Sequence, residues 1–274
     1  ATCGTLDADL VRDLTDRDGV RLEDALRGCG VELDRMAESG GRLADVRAYL
    51  ELHIEQGPVL ESEGLKASAV IGTVGVERWR VVFTGQAAHA GSTPMRLRRD
   101  SFLAAAQTAL ALREVGIRND GMSTTGGATS APGIITAVAG RTELLVDQRH
   151  LDADVLARML AEGRAASEEA AAAFGCTVAW ERVWGIEPLP FDPQLIADAR
   201  AAVLEVTGAD RAIPSGPLHD AAEMSRRVPT VMLFSSSTNG LSHTEVEDTP
   251  EEHLVAALSA FAITAFAALA QVAA

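Results

Sequence analysis

The alternation of apolar and polar positions in ELHIE, inside AYLELHIEQGPVLE (48–61), has the period of a β-strand. Gly57-Pro58 then punctuates the chain before a short helix. From about residue 73 the pattern becomes longer-ranged. VERWRVVFTG (76–85) predicts a strand, RRDSFLAAAQTALALREV (98–115) an amphipathic helix, and GIITAVAG (133–140) and RTELLVDQRH (141–150) two strands. A long helix over 153–175 and the strand CTVAWERVW (176–184) follow. This β-α-β-β-α-β order is that of a ferredoxin-like α+β unit, a small two-layer domain that folds on its own. On either side the chain reads as α/β. Before it, GVRLEDALRGCGVELDRMAESG predicts short surface helices separated by glycine turns. After it come a helix over 193–208, a helix from Asp220 to about Arg227, the buried strand PTVMLFSSS (229–237) and a long helix from near Pro250. The expected organisation is one α/β domain built from 1–72 and 186–274, with residues 73–185 inserted as a second domain.

Composition narrows the function classes. The 274 residues are 47% hydrophobic and only 4% aromatic, which suits helices packed on sheets. A formal net charge of −15 repels phosphate backbones and anionic lipid, so neither nucleic acid nor a membrane surface is expected as a partner. The apolar run LVAALSAFAITAFAALAQVAA (254–274) is long enough to raise the question of a membrane span. Its small residues and internal Ser, Thr and Gln predict instead a buried C-terminal helix. Cys3, Cys29 and Cys176 have no metal-like spacing, and so sparse and odd a count fits a reducing compartment. With no signal-peptide pattern at the polar N-terminus, a cytoplasmic location is expected.

Several polar residues stand where chemistry is commonly placed. Strand alternation sends Glu51, His53 and Glu55 to one face, and a neutral imidazole beside carboxylates at a strand end suits a metal. An ordinary structural histidine fits that segment equally well. His243, in NGLSHTEVEDTPEEH, follows a buried strand, a position where α/β enzymes place functional loops. His89 lies among small residues in GQAAHAGSTPM, free to approach a ligand, with Gly91, Ser92 and Thr93 as possible donors. Its alternative is a tight-turn residue. Arg149, near the end of an apolar strand, must meet an anion: a ligand carboxylate, or Asp147 on the same strand face. His253, at a helix start, reads as structural.

ELHIEQGPVLE, GQAAHAGSTPM, the strand ending DQRH, SGPLHDAAEM and GLSHTEVED occur in the same order as in the hydantoinase/carbamoylase branch of M20-type metallopeptidases. The chain resembles this group, which includes N-carbamoyl-L-amino acid hydrolases and allantoate amidohydrolases, from about residue 45 to 260. The resemblance implies a partial zinc-peptidase-like catalytic domain with an inserted lid, and hydrolysis of ureido or related linear amide bonds in a small substrate bearing a carboxylate. It implies two divalent ions, Zn or Mn, with His53 and His243 as ligands, one for each ion. Gln56 would contact substrate, and Thr136 stands where the family usually has an Asn beside it. His89 would reach the partner subunit's site and hydrogen-bond the carbonyl oxygen as charge develops. Arg149 would bind the substrate carboxylate, and Ser215, Gly216 and His219 would line the pocket. Residues 73–185 would form the homodimer and act as a lid.

The family's His-x-Asp motif, bridging Asp and Glu-Glu pair do not precede residue 45. The chain is therefore expected to begin after the first catalytic elements, as a fragment or a natural truncation. His150-Leu151-Asp152 reads His-x-Asp but follows a strand of the inserted domain and is a coincidence, while Glu168-Glu169 and Glu251-Glu252 fall in or at the start of helices, in stretches that match other parts of the family, and are decoys. Ala139 replaces the usual Pro before Gly140. Two other readings stand beside the amidohydrolase: a non-catalytic dimerising remnant lacking essential metal ligands, and an aminoacylase- or dipeptidase-like hydrolase.

Overall fold

A computed structural model describes residues 3–273. Helices α1 (Ala8–Val11) and α2 (Leu22–Gly28) and a 3₁₀ stretch (Leu33–Leu43) precede β1 (Tyr49–Ile54), α3 (Val59–Ser62) and β2 (Ala67–Thr73). Next come β3 (Gly75–Thr84), β4 (Ala88–His89), α4 (Ser101–Arg118), β5 (Met122–Ala131), β6 (Ala137–Val138), β7 (Arg141–His150), α5 (Ala153–Ala173) and β8 (Thr177–Ile186). The chain closes with β9 (Leu189–Pro190), α6 (Pro193–Thr207), β10 (Ala212–Ser215), α7 (Asp220–Met224), β11 (Thr230–Ser235) and α8 (Glu251–Ala273). Two compact units result: one from the residues up to Gly72 with those from Pro190 on, the other Thr73–Leu189.

The first unit is organised around β11. Its sequence TVMLFS is buried throughout, as expected of a strand covered on both faces. Alternate side chains go to opposite layers. Val231 and Leu233 pack with Leu195, Ala199 and Val203 of α6 and with Ala260 and Ala268 of α8. Met232 and Phe234 pack with Leu60, Val70, Phe191, Ile213 and Ala221. In the sheet order β1-β11-β2-β10, β11 pairs parallel to β1 and antiparallel to β2. Asp192 caps α6 by accepting the N–H groups of Gln194 and Leu195, with Pro193 at the first helical position.

Two expectations fail in this unit. The helix starting at Asp220 ends at Met224 rather than Arg227, and the Arg227 side chain donates to the Cys3 carbonyl at 2.8 Å. The C-terminal run is a helix, but it is not buried. Its stripe of small residues, Ala257, Ala260, Thr264 and Ala268, is covered, while Leu254, Val255, Leu258, Phe266 and Leu269 lie exposed, Phe266 at 75%. By length and composition α8 is long and apolar enough to cross a membrane.

The second unit is a four-stranded sheet in the order β5-β7-β3-β8, with β3 antiparallel to β7 and β8 and β7 antiparallel to β5. Trp79, Val81 and Phe83 of β3 and Leu144 and Val146 of β7 pack with Ala104, Ala105 and Leu112 of α4 and Ala171 of α5. Asp100 and Asp152 cap α4 and α5 through paired backbone N–H groups. Gly163 lets α5 approach α4, because a Cβ there would stand 2.8 Å from a methyl carbon of Leu112.

The β-α-β-β-α-β order is present, but its second strand is not the expected 133–140. That role falls to β5, MSTTGGATSA, whose hydroxyl residues and paired glycines carry no apolar alternation. Of 133–140 only Ala137–Val138 is extended, in a two-stranded ladder with β4, because Gly133 (φ 70) turns the chain first.

Candidate active site

In the first unit the polar residues gather where parallel β1 and β11 end together, His53 opposite Phe234 and Ile54 opposite Ser235. Nδ1 of His53 lies 2.9 Å from the carbonyl of Ile54. A carbonyl can only accept, so Nδ1 carries the proton and Nε2 keeps the lone pair that a metal or proton would take. The ring of His219 lies against it, centroids 4.4 Å apart, and meets the Phe234 ring edge-on at 5.7 Å. Burial first, then the neighbouring His53, pushes the His219 imidazole down to about 4, opposed by Asp220. It is therefore neutral near pH 7, and among the described residues its buried Nε2 has no hydrogen-bond partner.

The carboxylates expected beside His53 have other tasks. Glu51 accepts the Ala221 N–H at 2.8 Å and so ties β1 to the start of α7, directly after His219. Glu55 is buried, and its two oxygens accept the N–H groups of Val59 and Leu60 at 2.8 and 2.9 Å. The expected acidic face is thus a pair of helix anchors. Gln56 sits in the left-handed region (φ 55) and donates its N–H to Ser237 Oγ at 2.9 Å. Ser237, fully buried, is a residue that sequence reasoning missed. Gly240 (φ 61) completes this turn, since a Cβ there would come within 2.9 Å of Pro58. Ser215 is buried, with its hydroxyl donating to the Pro217 carbonyl at 2.8 Å, and Gly216 follows it at the end of β10. His243 is exposed on the loop after β11, at φ 57, its N–H donating to Glu247. His253 accepts or donates at Ser236 Oγ, 2.6 Å from its Nδ1.

In the second unit His89 and Thr136 come together. β4 pairs with β6, His89 opposite Ala137, and Ala90 donates its N–H to the Thr136 carbonyl at 2.8 Å. The Gly91 and Ser92 N–H groups, expected as donors to a ligand, instead point at Nδ1 of His89 from 3.1 and 3.2 Å. Two donors at Nδ1 make it the acceptor, so the ring proton is on Nε2 of this exposed side chain. Arg98 holds this turn through the carbonyls of Thr93 and Ala90, at 3.0 and 2.6 Å, another contribution that the sequence did not disclose. Arg149 grips Asp147 of its own strand, Nε to Oδ1 at 2.6 Å and Nη2 to Oδ2 at 3.0 Å. His150 and Asp152 serve the N-terminus of α5: Asp152 caps it, and its N–H donates to His150 Nδ1.

The model of peptidase family M20/M25/M40 matches residues 23–267. The chain belongs to that family. It is 32% identical to an N-carbamoyl-L-amino acid amidohydrolase of Geobacillus stearothermophilus over 253 residues, 92% of this chain and 62% of the relative. It is 33% identical to an allantoate amidohydrolase of Escherichia coli (strain K12), over 90% of this chain and 60% of the relative. A crystal structure of a hydantoinase/carbamoylase-family amidase from Burkholderia multivorans superimposes with a TM-score of 0.83 at 34% identity, covering 97% of this chain and 64% of that one. The chain spans about three fifths of the length of these curated relatives.

The resemblance implies a pair of divalent ions, and the chain's own donors fit that pair only in part. His53 has the tautomer of a ligand. Among the described residues, however, no group of three or more His, Cys, Asp or Glu side chains could hold a metal ion. Glu51 and Glu55, the nearest carboxylates in sequence, are spent on backbone N–H groups. The described donors do not amount to a dinuclear centre.

Proposed function

We propose that the whole protein is a metal-dependent amidohydrolase that cleaves N-carbamoyl (ureido) or related linear amide bonds of a small carboxylate-bearing substrate. On this reading the first unit is part of a zinc-peptidase-like catalytic domain and the second is its lid and dimerisation domain. The observation that carries the reading is the pair of ring contacts that assign the tautomers, leaving His53 with an Nε2 lone pair and His89 with an Nε2–H on an exposed side chain. The first suits a metal ligand. The second suits an oxyanion donor, which works by meeting negative charge as it forms on the scissile carbonyl. Arg149 supplies the cation for the substrate carboxylate, and Gln56 and Thr136 lie on turns beside the two histidines.

Support for a homodimer through residues 73–185 comes from β5, an edge strand, and from Leu103, Leu110 and Ile117, apolar residues exposed on α4. The second reading, a non-catalytic dimerising remnant, is favoured by the incomplete set of metal donors among the described residues. Assay of the full-length protein separates the two. Ammonia release from N-carbamoyl-L-alanine or allantoate, exceeding the hydrolysis of N-acetyl-L-alanine and of a dipeptide, is expected. Turnover of none of these compounds would favour the remnant, and a preference for the last two the aminoacylase- or dipeptidase-like reading.

A further inference from the structure

We propose that Asp147 is a positioning residue: it sets the plane of the Arg149 guanidinium for capture of a ligand carboxylate. The proposal rests on the reading of Arg149 as the carboxylate-binding residue. Asp147 and Arg149 are two residues apart on β7 and therefore share a face of the sheet. Their contact is bidentate along one edge of the guanidinium, through Nε and Nη2. Arg78, directly opposite Asp147 in the β3–β7 register, donates Nε to Asp147 Oδ2 at 2.9 Å. The Arg78 guanidinium lies in turn 5.1 Å from the ring centre of Trp184. Trp184, Arg78, Asp147 and Arg149 thus form a braced row, in which the Asp147 and Arg149 side chains are only 23% and 27% exposed.

The bracing has a chemical consequence. Arginine has a long, rotamer-rich side chain but a planar fork of donors, and it binds a carboxylate well only when the plane is already aimed. Two hydrogen bonds to one edge fix both the plane and its rotation. Burial alone would raise the Asp147 carboxyl, but the hydrogen bonds from Arg149 and Arg78 more than offset it and hold the group below its ordinary value. Asp147 is therefore ionised near neutral pH and also keeps the two like-charged guanidinium groups together. An opposing effect must be weighed, because a resident carboxylate repels an incoming one. Here one negative charge is shared by two positive ones, so the row remains net positive. Alignment outweighs repulsion.

The two effects predict opposite signs, which makes a direct test. Full-length wild type, Asp147→Asn, Arg149→Lys and the double variant are assayed with N-carbamoyl-L-alanine and with N-carbamoyl-L-alaninamide, whose carboxylate is replaced by a neutral amide. Asp147→Asn is expected to raise KM for the acid about tenfold, with kcat and both constants for the amide within about twofold of wild type. In the double variant KM for the acid should equal that of Arg149→Lys alone, since Asp147 acts through Arg149. An unchanged or lower KM for the acid, or equal losses on both substrates, overturns the proposal. Arg78→Gln, which leaves the Asp147–Arg149 contact in place but removes its brace, covers the case in which Asp147→Asn does not fold. It should raise KM for the acid by a smaller factor, and no change would contradict the bracing. Failure of the underlying reading is recognisable separately. Arg149→Lys would then leave the acid-to-amide preference unaltered, or wild type would turn over neither compound.

Discussion

Glu51 accepts the backbone N–H of Ala221 at 2.8 Å, and through this bond β1, which carries His53, is tied to the helix start that carries His219. The two imidazoles meet because the strand end and the helix end are joined by that carboxylate, whose other oxygen lies 4.0 Å from Nδ1 of His219. Replacement of Glu51 by Gln retains an acceptor, whereas Glu51→Ala leaves the Ala221 N–H unpaired. Urea unfolding should show Glu51→Ala destabilised by about 1–3 kcal/mol and Glu51→Gln by clearly less. Equal stability of Ala and Gln variants would remove the tie.

Ser237 holds the turn that presents Gln56. Its hydroxyl is the acceptor for an N–H in the left-handed region and lies fully buried. Ser237→Ala should cost about 1–2 kcal/mol by denaturant unfolding. In the full-length protein it should raise KM if Gln56 contacts substrate. An unchanged stability would show the hydroxyl to be dispensable.

The one-sided packing of α8 makes an unusual stability prediction for so apolar a helix. Phe266→Gln, at an exposed position, should change unfolding free energy by no more than about 0.5 kcal/mol. Ala260→Leu, on the covered stripe, should cost about 1–3 kcal/mol through overpacking. Thermal or urea unfolding reads both, and a large loss at Phe266 would mean that this face is covered after all.

Asp147 supplies a pH signature. Its folded-state carboxyl is held below the ordinary value, so the unfolded state binds the proton more readily. The stabilisation is then fully present above the unfolded value of about 4 and is lost as pH falls through the lower, folded one. Stability of wild type and Asp147→Asn, followed by urea unfolding between neutral pH and pH 3, should converge as the solution is acidified. A gap that is constant with pH would exclude an ionised Asp147 as its source.

Much of this was legible in the sequence where burial set the pattern. The apolar centre of β11 (Val231–Phe234), the alternating β3 and β7 and the long α4 and α5 follow directly from hydrophobic period. β5 was not legible, because it is held by backbone pairing to β7 and its Thr, Ser and Gly residues carry no burial signal. The exposure of α8 was hidden for the converse reason, since composition reports apolarity but not which face finds a partner. At the site, the histidines could be picked out by their neighbours, but their tautomers could not. Those depend on single backbone atoms, the Ile54 carbonyl for His53 and the Gly91 and Ser92 N–H groups for His89. The same holds for Glu55, whose acidic character suggested a metal while its buried position makes it the anchor of α3.

The proposed role of the lone pair on His53 Nε2 is to hold a divalent metal for amide hydrolysis. It is tested most directly by measuring metal content and N-carbamoyl-L-alanine hydrolysis together in the full-length protein and its His53→Ala variant. Bound divalent metal in wild type, with metal and activity both reduced in a folded variant, is the predicted result. A variant that keeps its metal and its activity would overturn the role of His53 as a ligand.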